Sequence, residues 1–250
     1  MISKLTPSRL AAGLLLLLAV VATTGVRDAA AQSDYCCQLP DNGAGTVTMP
    51  PNCLYGYQGP MQIVAGLPSG STLQVAAKLY NFSAVVEAPG GTMGGTAATF
   101  SAVIDLALVG TGVFNGFVQT VPIANTGEIH TAPRTPGAPV QFFLNDVHML
   151  SGSAFTAPNF DLLRITFGNA FGLPSPGQTT LVRQGGPGAP FAVDSFFDVT
   201  YRIDFIGSPG GQFAGMSGST TGLSRIQTCT TPVPNESTGS WGEVKSSYLH

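Results

Sequence analysis

Between residues 194 and 206 the chain alternates with a period of two. Phe197, Val199, Tyr201, Ile203 and Phe205 share one parity, while Asp198, Thr200, Arg202 and Asp204 share the other. Extended backbone turns successive side chains to opposite faces, so this run makes one apolar wall and one charged, wet wall. It predicts a long, half-buried antiparallel strand around which the rest of the domain must pack. The same period recurs at residues 72–88 (Leu73, Val75, Ala77, Leu79), 96–109 (Phe100, Ala102, Ile104, Leu106, Leu108) and 160–167 (Leu163, Ile165, Phe167). Further strands are predicted at 61–65, 117–123, 140–150, 179–182 and 218–228, with a short one at 46–49.

Gly- and Pro-rich segments at 66–70, 90–95, 110–112, 133–139, 172–190 and 207–211 punctuate these runs, as turns and connections do. No amphipathic helical pattern exceeds two turns. Many strands at short spacing predict an all-β fold, an antiparallel β-sandwich of jelly-roll or Greek-key type, with a closed antiparallel β-barrel as the alternative. Residues 66–73 echo 172–181, and each segment introduces a strand. With nothing else aligned between the halves, a Pro-Ser corner that leads well into a strand accounts for the echo.

The N-terminus changes the picture. Lys4 and Arg9 precede an apolar run over 10–22, and Ala29, Ala30 and Ala31 offer small residues before Gln32. That order is a secretory signal peptide over residues 1–31, with cleavage after Ala31. The run holds about a dozen strongly apolar residues, short of the roughly 20 that a spanning helix needs, so no membrane span is expected after its removal. The remainder of the chain divides into a Cys/Pro-rich arm at 32–60, a β-domain at 61–229, and a flexible linker and tail at 230–250. The mature chain keeps seven Lys/Arg against twelve Asp/Glu, a net of −5 with histidine neutral. So few basic groups leave no electrostatic footprint for nucleic acid or anionic lipid.

The cysteines are Cys36, Cys37, Cys53 and Cys229. In an exported chain an even count reads as two disulfides. Adjacent cysteines bridge poorly, which leaves Cys36 and Cys37 pairing with Cys53 and Cys229 in either of two ways. No Cys-x-x-Cys or paired-His spacing points to a metal, and no cofactor is implied.

Candidate chemistry is sparse. The histidines are His130, His148 and the terminal His250. Glu128 with His130, and Asp146 with His148, each put an acid and an imidazole on one side of a strand. A hairpin centred near Pro136 would hold the two histidines roughly 20 Å apart at ~3.4 Å per residue, so these residues read as a solvated polar face. Ser217, in a Gly-Met-Ser-Gly-Ser setting, lacks the spacing and context of a nucleophile elbow. Asp194, Asp198 and Asp204 share a face with Arg202, and Asp161 and Arg164 lie on a strand that could neighbour it. Paired carboxylates could hydrolyse a glycoside or hold calcium, but opposite charges interleaved along a sheet face read first as cross-strand ion pairs. No phosphate loop or dinucleotide fingerprint is present. Asn81 and Asn235 head glycosylation-type sequons.

Beyond Cys229 a polar, Pro-stiffened linker delivers the only tryptophan within Trp241, Gly242, Lys245 and Tyr248. Aromatics on such a tail do not serve a core. The tail resembles a Trp-Gly-x-Val-Lys-x-x-Tyr terminus that recurs on exported proteins of environmental bacteria, although the usual basic residue after the tyrosine is replaced by Leu249 and His250. Residues 160–167 and 194–222 are similar to a group of uncharacterised secreted all-β proteins of such bacteria. The resemblance covers about a third of the mature chain and implies export and C-terminal sorting, with no activity to transfer. The expected protein is a secreted, periplasmic or cell-surface β-domain without catalysis, in a structural or surface-interaction role, with sorting or surface machinery as partner of the tail. A carbohydrate or small-ligand module is the alternative, and a glycosidase-type hydrolase the second.

Overall fold

A computed structural model describes residues 37–59 and 61–228. The signal segment, Cys36, Cys229, Trp241, Gly242, Lys245, Tyr248 and His250 lie outside the described residues. The fold is all-β, antiparallel and sandwich-like, with strands β1 (Gln38–Leu39), β2 (Tyr55–Gln58), β3 (Met61–Ile63), β4 (Leu73–Pro89), β5 (Thr96–Gly110), β6 (Val118–Thr131), β7 (Val140–Ala157), β8 (Phe160–Phe167), β9 (Pro176–Arg183), β10 (Phe191–Gly207) and β11 (Ser217–Thr228). Among the described residues no helix is long and apolar enough to cross a membrane.

The predicted principal strand is the centre of the structure. Phe197, Val199, Tyr201, Ile203 and Phe205 are all buried in one core. Both edges of β10 are used: it pairs with β11 along one side, and with β9 and then β8 along the other. Pairing continues from β11 through β2, β4, β5, β6 and β7 to β8, so β10 joins the layers.

Several elements differ from the sequence expectation. Residues 46–49 form no strand, yet Val47 and Met49 are buried against the core. The arm also supplies β2, which sits between β11 and β4 with Tyr55 fully buried, and the short β1, which pairs with β10. Strands β6 and β7 run on to Thr131 and Ala157, well past the apolar runs, because ladder hydrogen bonds extend through polar residues once register is set. The segment after β10 folds inward rather than merely turning. Phe213 is fully buried, its ring 4.8 Å from Phe114, 4.9 Å from Phe117 and 5.0 Å from Phe160. Gly207 makes this possible, since a Cβ there would lie 1.8 Å from the Phe213 carbonyl oxygen.

Cys37 and Cys53 are disulfide-bonded, one of the bridges left open from sequence. Closing so short a loop removes unfolded-chain entropy equivalent to roughly 3 kcal/mol. A second clip is ionic. Arg183 Nη1 donates to Asp41 Oδ2 at 2.7 Å, and Asp41 Oδ1 accepts the backbone N–H groups of Gly43 and Gly45 at 2.9 Å each. The Arg183 hydrogen bond, with these amides, holds the Asp41 carboxyl below the usual carboxylate range against the opposing effect of burial.

Phe213→Ala should lower unfolding free energy by roughly 3–5 kcal/mol, measured by denaturant titration; a loss below 1 kcal/mol would contradict its place in the core. A depressed folded-state pKa stabilises above the unfolded value near ~3.9 and the effect fades as pH falls through the folded value. Stability should therefore decline on acidification below about pH 4, and Asp41→Asn should flatten that decline in paired acid titrations.

Candidate functional site

On β6 the core-facing positions are Val121, Ile123, Asn125, Gly127 and Ile129, so Thr126, Glu128 and His130 project from the other face. Two features are built on that outer face, and both depend on ladder register.

The first is a row of hydroxyls lying across the strands. Ser83 on β4 pairs with Ser101 on β5, Ser101 with Thr126 on β6, Thr126 with Ser151 on β7, and Ser151 with Thr166 on β8. Directly paired residues project to the same face, and neighbouring strands lie about 4.8 Å apart. The first four of these residues line a shallow, open groove of about 620 Å³, together with Asn81, Ser153 and Phe155. Its position follows from β4, where pairing slips between Tyr80 and Ser83 and again between Ser83 and Val86. Asn81 and Ala84 adopt left-handed φ values of 59° and 49° there. Such irregularities bend a strand and locally raise its twist. Among the described residues no charged one lines the groove. Phe155 projects at its rim with 69% of its surface exposed. Asn125 also lines the groove; its side chain is buried, and among the described residues neither amide atom is hydrogen-bonded.

The second feature corrects the sequence expectation for the histidines. His130 and His148 are not 20 Å apart: their rings stack at 4.2 Å between centroids, 21° from parallel. The ladder register places Asp146 opposite His130, and the loop that precedes β7 is displaced from the assumed centre at Pro136 because the first half of β7 pairs with β9 instead of β6. A bulge then closes the remaining gap. Met149 opposes Glu128 and Val147 opposes Ile129, leaving His148 as the extra residue. Glu128, His130 and His148 each bring one ligand atom within 4.8 Å of the others.

His130 is 4% exposed although it lies on the outer face, because the turn at residues 90–95 covers it. Gly91 has φ +83°, and a Cβ there would lie 2.9 Å from His130 Cγ. The next residue fixes the imidazole. Thr92 N–H donates to His130 Nδ1 at 3.2 Å, and the Thr92 hydroxyl lies 2.9 Å from the same nitrogen. A backbone amide only donates, so Nδ1 carries the lone pair and Nε2 carries the hydrogen. His130 Nε2 then donates to Glu128 Oε1 at 2.8 Å. Asp146 Oδ2 accepts from Asn169 Nδ2 at 2.7 Å, whereas Asp146 Oδ1 and His148 Nδ1 are buried with no hydrogen-bond partner among the described residues.

The charged face of β10 is organised differently. Arg225 binds Asp198 through two hydrogen bonds of 2.7 Å, and this pairing lowers the Asp198 pKa. Arg164 Nε donates to Asp204 Oδ2 at 3.0 Å, with Arg202 Nε at 3.5 Å from the same oxygen. Burial opposes ionisation of Asp204, but hydrogen bonds from Ser219 and Arg164 outweigh it and lower its pKa. These are cross-strand ion pairs: Asp198 opposes Arg225 and Asp204 opposes Arg164. Asp194 and Asp161 are exposed. Ser217 begins β11 and has neither a histidine nor a carboxylate hydrogen-bonded to it among the described residues.

Sequence reading missed the hydroxyl row entirely and dismissed the histidine pair. For the histidines the matching acid-x-His pattern in two neighbouring strands was the available signal. For the hydroxyls there was none, since each is a single Ser or Thr in a different strand. No protein-family model matches the chain, and neither does any curated protein or solved structure compared with it.

Proposed function

We propose that this protein is an exported, non-catalytic binding domain whose outer groove takes a neutral, polyhydroxylated ligand, a glycan, and whose tail sorts or anchors it. The observation that carries the reading is the row Ser83–Ser101–Thr126–Ser151 lying along an uncharged groove of about 620 Å³. Hydroxyls both donate and accept, as sugar hydroxyls do, and their repeat along the row, about 4.8 Å, is on the scale of one sugar ring. Of these hydroxyls, Ser151 has a side-chain partner, Thr166 at 3.5 Å, and that contact is long enough to exchange for a ligand. Phe155 offers an apolar ring to the C–H face of a sugar, in the manner in which aromatics present both area and rigidity. A volume in this range suits a small-molecule or oligosaccharide fragment.

Two features favour binding over hydrolysis. Among the described residues the groove lining holds no carboxylate or histidine to act as acid and base. The carboxylates of the β10 face are committed to arginines. The Cys37–Cys53 disulfide agrees with an oxidising compartment and supports the export reading of the leader.

On a glycan array the mature chain should bind a subset of neutral glycans. Phe155→Ala should weaken that binding about tenfold, ~1.4 kcal/mol, with the fold unchanged by circular dichroism. A mature chain that binds no neutral glycan, or a Phe155→Ala variant of undiminished affinity, would remove the reading. Deleting residues 230–250 should leave glycan binding intact and alter where the protein accumulates; unchanged localisation would remove the sorting role of the tail.

A further inference from the structure

The geometry points to a divalent transition-metal site formed by Glu128, His130 and His148, with Asp146 behind them. It stands independently of the glycan reading. The three ligand atoms lie within 4.8 Å of one another. Tetrahedral zinc, with bonds of 2.0–2.1 Å, needs about 3.3 Å between ligand atoms. Small side-chain rotations close that difference, and Glu128 and His148 have the room, being only partly buried.

Two observations beyond proximity indicate an ion. Buried polar atoms ordinarily find hydrogen-bond partners, yet among the described residues His148 Nδ1 and Asp146 Oδ1 have none, and Asp146 is 9% exposed. Charge is also unbalanced. Among the described residues neither Glu128 nor Asp146 pairs with a lysine or arginine; the basic side chain near each is His130, at 2.8 Å from Glu128 and 3.9 Å from Asp146. A dication supplies the missing positive charge. Two imidazole nitrogens and a carboxylate oxygen form a borderline donor set that suits zinc, cobalt, nickel or copper and disfavours calcium and magnesium.

Thr92 lets the site switch between its free and loaded forms. Without metal, Nδ1 accepts from Thr92 and the Nε2 hydrogen is donated to Glu128. To bind the ion through Nε2, His130 must carry its hydrogen on Nδ1 instead. The Thr92 hydroxyl, 2.9 Å away, can rotate and accept it. One hydrogen leaves Nε2 and one is placed on Nδ1 of the same ring, so the exchange is a change of tautomer. The Thr92 amide gives up a 3.2 Å contact in exchange. Thr92 thereby becomes the group that orients the ligand, as the partners of metal-bound imidazoles do. The glycine at position 91 is part of the device, since any side chain there would collide with the ring.

The test is titration of the untagged, chelator-stripped mature chain with Zn²⁺ by calorimetry and with Co²⁺ by visible absorption. One ion per chain is expected, with cobalt d–d bands and a rise in thermal midpoint on loading. Glu128→Gln, which keeps shape, and His148→Ala should each lower affinity at least tenfold and abolish the rise in midpoint. Thr92→Val should weaken binding on the order of 10–100-fold. His250→Ala should change nothing, and Ca²⁺ should not compete. Absence of saturable binding up to ~1 mM ion, about −4 kcal/mol, would overturn the site, as would wild-type affinity in both Glu128→Gln and His148→Ala. Because the groove contains none of these ligands, glycan binding is read separately and neither result decides the other.

Discussion

Ladder register is the constraint on which the rest of this protein depends. In a sheet, a slip of one residue exchanges the two faces of a strand. β10 fixes the register for its neighbours because its five alternating aromatic and aliphatic residues can be buried in one phase alone, and its two edges pass that phase to β11, β9 and β8. Burying each such side chain contributes roughly 1.5–3 kcal/mol, so a shift of β10 by one residue would forfeit several of these at once and bring Asp198, Arg202 and Asp204 into the core.

Chemistry gathers where that regularity is broken. The bulges in β4 bend the sheet beside the hydroxyl row, and the bulge in β7 sets His148 against His130. In both places the buried positions change parity across the irregularity, from Leu79 to Phe82 in β4 and from Val147 to Leu150 in β7, so the core stays apolar on either side while the outer face is redirected. The Gly-rich turn between β4 and β5 then shields one of these features from water, and this is what turns an outer-face histidine into a buried one. A shielded imidazole between carboxylates is a different chemical object from the same residue on an open strand, because the lower local dielectric strengthens each interaction and raises the cost of each unmet one.

The two sites also divide the outer face by charge. Thr126 and Glu128 are consecutive outward positions on β6, yet one belongs to an uncharged hydroxyl row and the other to an acidic cluster. The arginines that would blur this division are held elsewhere, Arg134 by Glu87, Arg164 by Asp204 and Arg225 by Asp198. With so few basic residues in the chain, their engagement leaves the groove neutral and the histidine cluster short of positive charge.

Sequence alone determined the all-β class, the strands at 72–88, 96–109 and 160–167, the apolar wall of β10, and the reading of its charged face as cross-strand ion pairs, because each of these is written in a period of two within one segment. It also narrowed the cysteine pairing to two choices, between which only proximity of Cys37 and Cys53 could decide. Tertiary structure decided the burial of Phe213, the capture of the arm as β2, the hydroxyl row and the meeting of His130 with His148. These rest on which residue of one strand lies opposite which residue of another. A loop of uneven halves and one extra residue in β7 move that correspondence by several positions while leaving no mark in either strand's own pattern.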